Sequence, residues 1–329
     1  MDVPEAKNLM SKNTARTTRG AAIDVGSNSV KLWVADRSED NFPSTVHEEI
    51  KITGLGEGVS DAGRLGEAPM TRTIDAVKRF SEIARDRDAG PIVAAATSAV
   101  RRAENRQAFL DRVRDTCELD LEVLSGEREA KLTFLGVTFG RDEGDRRFLT
   151  FDVGGGSTEL TAGPEGRPAF RTSVPVGSVS LYEDLGWEGV VSGGQLEEGI
   201  STVRERMREP VRSLREQMDG TDLAVIGVGG TVATLVQVSL GMTAFDREAI
   251  EGHEMKRVKL GAATATLAGQ TPAERIRDSH VKEGRREYII GGAALICGLM
   301  DVLSFPAFHS TCRGLRHGLL IDHLHDSTR

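Results

Sequence analysis

The sequence predicts an α/β protein built from two similar halves. Short apolar runs bounded by glycine alternate with segments whose apolar residues recur at helical spacing, the pattern of strands and helices laid down in turn. A strand–glycine loop–strand unit occurs twice, and Asp24–Leu32 and Asp152–Leu160 agree at five of nine positions: Asp, Val, Gly, Ser and Leu. Both copies sit in the same local context, about one domain apart, which favours an internal duplication over a chance match between glycine turns.

Taken in order, RGAAIDVGSNSVKLWVADRS reads as strand, tight loop and strand, because two apolar runs flank a glycine turn. Met70, Ile74, Val77 and Ile83 predict a helix over 68–86. PIVAAAT is a short buried strand, and Phe109, Leu110 and Val113 mark a helix over 105–117. LEVLSGEREAKLTFLGVTFG reads as strand, turn and helix, with Ser125 as the N-cap. FLTFDVGGGSTELTAG is the second copy of the hairpin. Leu196, Ile200, Val203, Met207, Val211 and Leu214 predict a long amphipathic helix over 195–218, which Pro210 should kink or restart. LAVIGVGGTVATLVQV is buried strand, glycine loop and helix, and two more helices are expected near 285–303 and 313–325.

Composition narrows the function classes. At 329 residues there is room for two domains, each with its own core. Hydrophobic residues at 39% and charged residues at 28% describe a globular chain rather than a disordered one. The longest apolar stretch, Tyr288–Met300, is too short to span a bilayer and contains three glycines, so it reads as a buried helix and no membrane partner is expected. Residues 1–19 lack the apolar core of a secretory signal and read as a disordered polar tail. Cys117, Cys297 and Cys312 are odd in number and have no CxxC spacing, so they are expected as buried thiols in a reducing cytoplasm. The net charge of −8 argues against a general nucleic-acid binder. A polyanionic ligand would need a local basic groove; the arginine-rich runs at 204–215 and 275–286 read as solvated helix faces, the second also as a candidate groove.

Three glycine loops carry the chemical signal: Asp24–Ser29, Asp152–Glu159 and Gly227–Thr231. Glycine lets backbone N–H groups converge on an anion, and Ser or Thr hydroxyls add donors. Ser27, Asn28 and Ser29, then Gly154, Gly155, Gly156 and Ser157, then Gly229, Gly230 and Thr231 are therefore the candidate phosphate contacts. The third loop also opens a helix, whose N-terminus favours phosphate. An aspartate ending a strand beside such a loop can hold Mg²⁺, directly or through water. A single aspartate there would more simply cap its turn. Asp24 and Asp152 as a pair facing one cleft favour the metal.

With these residues in view, the chain resembles the exopolyphosphatase/guanosine-pentaphosphate phosphohydrolase (Ppx/GppA) family of the acetate-kinase/actin/heat-shock ATPase superfamily. The resemblance runs from about 20 to 322 through AIDVGSNSVKLWVAD, GLGEGVSDAGRL, AATSAVRRAENRQAFL, VLSGEREAKLTFLGV, FDVGGGSTEL, VPVGSVSL, GVGGTVATL and RGLRHGLL. It implies two actin-like, ribonuclease H-like domains around a cleft, at 20–128 and 129–311, with a last helix at 312–329 joined to the first. It also implies a homodimer and a Mg²⁺ (or Mn²⁺) cofactor. Residue by residue, it implies Glu129 as the base that activates water, Arg101 as a phosphate contact, and Asp152 and Glu159 as metal positions, with Asp24 on the opposing loop. The expected reaction is release of terminal orthophosphate from polyphosphate. The same chemistry on guanosine pentaphosphate is the first alternative; an ATP-dependent kinase and a non-catalytic alarmone- or polyphosphate-binding regulator are further ones. Cys312 and His317 depart from the family pattern, which usually has acidic residues there.

Overall fold

In a computed structural model that describes residues 19–38, 42–57, 59, 63–141, 144, 146–218 and 221–326, the chain folds around two mixed β-sheets. The tail expected at 1–19 lies, but for Arg19, outside the described residues. The first half begins with the antiparallel meander β1 (Arg19–Val25), β2 (Ser29–Asp36) and β3 (Ser44–Ile52). Helix α1 (Glu67–Arg85) leads to β4 (Ile92–Ala96), which runs parallel beside β1. Helices α2 (Ser98–Arg102) and α3 (Arg106–Cys117) precede β5 (Glu122–Val123), and the sheet order is β3-β2-β1-β4-β5.

After α4 (Gly126–Thr138) the plan repeats. The meander is β6 (Arg147–Val153), β7 (Thr158–Gly163) and β8 (Phe170–Val174), followed by α5 (Ser178–Asp184) and α6 (Gly193–Gln217). Strand β9 (Leu223–Val228) lies parallel to β6 and feeds α7 (Gly229–Ser239). Then come α8 (Arg247–Ile250), β10 (Glu254–Lys256), α9 (Arg257–Ala268), α10 (Pro272–Arg277), a 3₁₀ turn at Glu283–Arg285, α11 (Ile289–Leu303), β11 (Ala307–Thr311) and α12 (Leu315–Asp326). The second sheet is ordered β10-β11-β9-β6-β7-β8. Three antiparallel strands followed by two parallel ones occur in both sheets, so β1, β2, β3, β4 and β5 correspond to β6, β7, β8, β9 and β11. Duplicated sequence has become duplicated topology.

Local chemistry sets the element ends. Ser125 caps α4 by accepting from the Arg128 N–H at 3.1 Å, and Ser192 with Gln195 forms a capping box on α6. Helix α6 runs through Pro210 without the expected restart. Its buried face (Ile200, Val203, Met207, Val211 and Leu214) packs in the second core, which outweighs the hydrogen bond that proline removes. Helix α11 is buried along nearly all its length within the same core, as the uncharged, largely apolar run from Ile289 to Met300 requires.

Helix α4 packs on both sheets. Leu132 joins Trp33, Ala95, Leu319 and Leu320 on the first-sheet side, whereas Phe134 and Val137 join Phe148, Ala224 and Ile226 on the second. The division expected at 128/129 falls inside this helix. Its partner α12 crosses it at glycine: a Cβ on Gly318 would collide with the Leu132 carbonyl, and one on Gly136 with Gly314 and Gly318. The glycines of RGLRHGLL therefore set how closely α12 approaches the helix that carries Glu129. Gly318→Ala is expected to lower stability by about 1–3 kcal/mol through overpacking, as a reduced urea midpoint at unchanged m-value would show.

The departures from the family pattern occupy a polar seam between the halves. Glu48 on β3 accepts hydrogen bonds from Arg247 of α8 and, at 2.9 Å, from Arg316 of α12. His317 is buried against Trp33 with ring centroids 4.5 Å apart, and its Nδ1 accepts from the Gly314 N–H at 3.0 Å. Burial, with Arg316, Arg247 and Arg313 nearby, holds this imidazole well below its ordinary pKa, so it is neutral. Cys312 is half-buried; its N–H donates to Glu251, and burial pushes the thiol up to about 11. All three cysteines are free thiols.

Candidate active site

The two strand-end aspartates occupy equivalent places. Asp24 is the penultimate residue of β1 and Asp152 that of β6. Hairpin register sets Asp24 opposite Lys31 and Asp152 opposite Glu159. In the first hairpin the pair is an ion pair, Lys31 Nζ donating to Asp24 Oδ2 at 3.1 Å. In the second it is two like charges.

Each glycine loop is held from behind. The Gly26 N–H closes the first turn on the Ser29 carbonyl, and the carbonyls of Ser27 and Asn28 accept from Gly56, Thr53 and Gly54. This gives Gly54 and Gly56 of GLGEGVSDAGRL a structural role. In the second loop the Gly154 N–H is spent on the Ser157 carbonyl at 2.9 Å, so Gly154 is not an anion donor in this geometry. The first N–H groups of α5 (Ser178, Val179 and Ser180) hold the carbonyls of Gly154 and Gly155. That leaves Gly155, Gly156 and Ser157 with backbone N–H groups unpaired among the described residues. The Ser157 hydroxyl donates to Glu159 Oε1 at 2.6 Å, and Ser173 donates to the same oxygen at 2.9 Å.

The third loop closes on the second. Gly229 has φ +93°, and a Cβ there would collide with Asp152 Oδ1. Thr231 is buried, and its hydroxyl donates to the Val153 carbonyl at 3.3 Å, tying loop to loop. Gly230 lies against Arg285, whose Nη2 occupies the space a Cβ would need. Arg285 has no ion pair among the described residues, and burial lowers its pKa. The other arginines of the 275–286 run are already engaged. Arg275 is fully buried and spends its guanidinium on the carbonyls of Leu267, Arg286 and Gly189, while Arg277 and Arg286 pair with neighbouring acids.

Glu129 enters from the first turn of α4, and Arg101 from α2 after β4. Arg101 Nη1 donates to Glu129 Oε2 at 2.9 Å and to the Leu124 carbonyl at 2.6 Å. Nε and Nη2 have no partner among the described residues and remain available to an anion. Burial pushes the Glu129 pKa up; the Arg101 hydrogen bond opposes this, and Asp24 and Glu159 reinforce it. Glu127 in the same turn is exposed.

Asp152 is the most perturbed acid of the site. Its carboxylate lies deep in a crevice that solvent only partly reaches, and its pKa is pushed up to about 6, by burial first and then by Glu159 and Glu129, with Lys31 opposing. It accepts no side-chain hydrogen bond from the described residues. A desolvated carboxylate of this kind, facing a second acid, suits a hard cation. No three acidic, histidine or cysteine side chains among the described residues converge on one point. The donor set therefore suits Mg²⁺ in its usual manner, one or two carboxylates completed by water and phosphate oxygens, rather than a closed protein cage.

The structure thus gathers Asp24, Arg101, Glu129, Asp152 and Glu159 with the three loops. Sequence reasoning passed over Lys31, Ser173 and Arg285. Lys31 had a signal: it aligns with Glu159 in the internal repeat. Arg285 was hidden in a charged run.

Comparison with known proteins agrees with this fold. The chain is 31% identical over 290 residues to exopolyphosphatase 2 of Mycobacterium tuberculosis, covering 85% of this chain and 89% of that one. It is 29% identical over 289 residues to a bifunctional 3-dehydroquinate synthase/phosphatase of Fusobacterium nucleatum, of which it spans 43%. A crystal structure of the Aquifex aeolicus Ppx/GppA family member superposes with TM-score 0.82 at 26% identity, covering 95% of this chain and 99% of that one. No helix among the described residues is long and apolar enough to cross a membrane. The sequence model of the Ppx/GppA phosphatase family matches residues 34–327, and with the duplicated fold this chain belongs to that family.

Proposed function

We propose that the protein is a Mg²⁺-dependent exopolyphosphatase that releases terminal orthophosphate by attack of a water activated by Glu129. The observation that carries this reading is the Arg101–Glu129 pair, 2.9 Å apart, set beside the acid pair Asp152 and Glu159. The polyphosphate substrate comes from the relative named exopolyphosphatase 2.

Each residue has a physical task. Glu129 accepts the proton of the attacking water; its raised pKa brings its basicity nearer working pH while Arg101 fixes the carboxylate's orientation. The free nitrogens of Arg101, the amides of Gly155, Gly156 and Ser157, and Arg285 beside Gly230 donate to phosphoryl oxygens as charge redistributes. Asp152 with Glu159 would hold Mg²⁺, with Asp24 on the facing loop. When bound, such an ion would supply charge neutralisation at the phosphoanhydride. Ser157 and Ser173 orient Glu159 through their hydroxyls.

Phosphate release from purified protein, with polyphosphate and guanosine pentaphosphate side by side, tests the reading. The expected outcome is turnover of polyphosphate that stops in excess EDTA and returns with Mg²⁺ or Mn²⁺. Preference for guanosine pentaphosphate would move the substrate assignment, and full turnover in EDTA would overturn the metal.

A further inference from the structure

Helix α4 carries Glu129, yet its two ends are held differently. Toward the C-terminus, Phe134 and Val137 pack with Phe148, Ala224 and Ile226 of the second sheet. The first turn, Gly126–Glu129, has no apolar side chain, and Gly126 and Glu127 are exposed. Apolar packing therefore cannot fix how far Glu129 stands from the acids of that sheet.

Strand register supplies what packing lacks. Asp152 is paired with Glu159, Glu159 with Ser173, and Arg171 precedes Ser173 by two residues, so all four side chains belong to one face of the sheet. The edge strand β8 uses this face twice. Ser173 donates to Glu159 Oε1 at 2.9 Å. Arg171 lies about 7 Å back along the strand, and its Nη1 donates to the Gly126 carbonyl at 3.0 Å. A guanidinium at the positive end of a helix lowers helix stability, so stabilising α4 does not account for this contact. From the other side Arg101 of the first half holds the same segment, through the Glu129 carboxylate and the Leu124 carbonyl. The turn that bears Glu129 is thus tied to both halves.

We propose that Arg171 is a positioning residue: by tying the Gly126 carbonyl to β8 it sets the distance between Glu129 and the acid pair Asp152 and Glu159. Ser173 orients one of those acids and Arg171 the turn of the base, so a single strand aligns the activated water with the phosphate it attacks. This rests on the phosphohydrolase reading and deepens it. Arg171 acts through Glu129 and touches neither substrate nor metal.

Steady-state phosphate release from tripolyphosphate at saturating Mg²⁺ tests this, for wild type, Arg171→Met, Arg171→Lys, Glu129→Gln and the double variant of Arg171→Met with Glu129→Gln. Arg171→Met should lower kcat by about 3–10-fold, the weight of one such hydrogen bond, while KM and the metal requirement stay at their wild-type values. Arg171→Lys should recover part of the loss, because an ammonium also donates to a carbonyl. In the Glu129→Gln background Arg171→Met should cost nothing further, since misplacing a base that is already gone has no effect. A folded Arg171→Met with wild-type kcat would overturn the proposal. A raised KM at unchanged kcat would overturn it too, by making Arg171 a substrate contact. So would a loss that adds in full to that of Glu129→Gln, the mark of a merely structural role. If Arg171→Met does not fold, Arg171→Gln is read by the same criteria. Wild-type protein that releases no phosphate would sink the hydrolase reading itself, an outcome distinct from equal turnover by wild type and variant.

Discussion

Glu129→Gln is expected to lower turnover by about 10²–10⁴-fold, the usual contribution of a general base. Glutamine keeps the shape and can still accept from Arg101, so the pair's geometry at 2.9 Å should survive. What disappears is the basic oxygen. Substrate affinity should change far less, because the phosphate rests on Arg101, the loop amides and the metal. Arg101→Ala should differ in kind: it removes a phosphate contact and releases Glu129, so KM rises and kcat falls together. Glu127 is the control. It lies two residues away in the same first turn and is exposed, so Glu127→Gln should cost stability of within about 1 kcal/mol through the helix dipole and leave turnover intact. Phosphate release and equilibrium binding on all three variants decide the assignment. An inactive Glu127→Gln beside an active Glu129→Gln would overturn it.

The parts of this molecule legible in sequence are those where local pattern and tertiary context agree. The helices at Glu67–Arg85, Arg106–Cys117 and Gly193–Gln217 lie within two residues of the spans that apolar spacing predicts. The Asp24–Leu32 and Asp152–Leu160 repeat was legible too, because a strand-end Asp, a turn Gly and a buried Leu are each required by one hairpin geometry. Helix α9 was missed because Arg257–Ala268 is a mixture of Ala, Gly and Thr with almost no amphipathic contrast. Strand β11 was missed for the opposite reason: it is short and partly polar, and only its register beside β9 makes it a strand. At the site, residue types were legible but pairings were not. Gly154 reads like its neighbours, and only the fold shows its N–H spent on Ser157. Arg285 reads like Arg275, yet one lies against a phosphate-type loop while the other is buried among carbonyls.

Asp152→Asn separates what this carboxylate does for function from what it does to stability. Its negative charge sits where burial and Glu159 both oppose ionisation, and its pKa is pushed up to about 6. A carboxylate whose pKa is higher in the folded state than in the unfolded state favours folding while protonated. That contribution is fully present below about pH 4 and is lost as pH rises through about 6. At pH 8 in chelator, therefore, Asp152→Asn should have a higher Tm than wild type, and at pH 4 the difference should vanish. Mg²⁺ should reverse the order at pH 8, since an ion that binds the native carboxylate stabilises wild type by mass action and the amide only weakly. Function moves the other way. Attraction between unit charges about 4 Å apart is about 4 kcal/mol at an effective dielectric of ~20, so after solvent competition the Mg²⁺ concentration for half-maximal rate should rise on the order of 10²-fold. Thermal scans at two pH values with and without Mg²⁺, together with a metal titration of phosphate release, read out both effects. A variant that loses activity with no change in metal requirement and no stability gain in chelator would show Asp152 acting as a turn cap. The cation would then have to be sought on Glu159 and the phosphate alone.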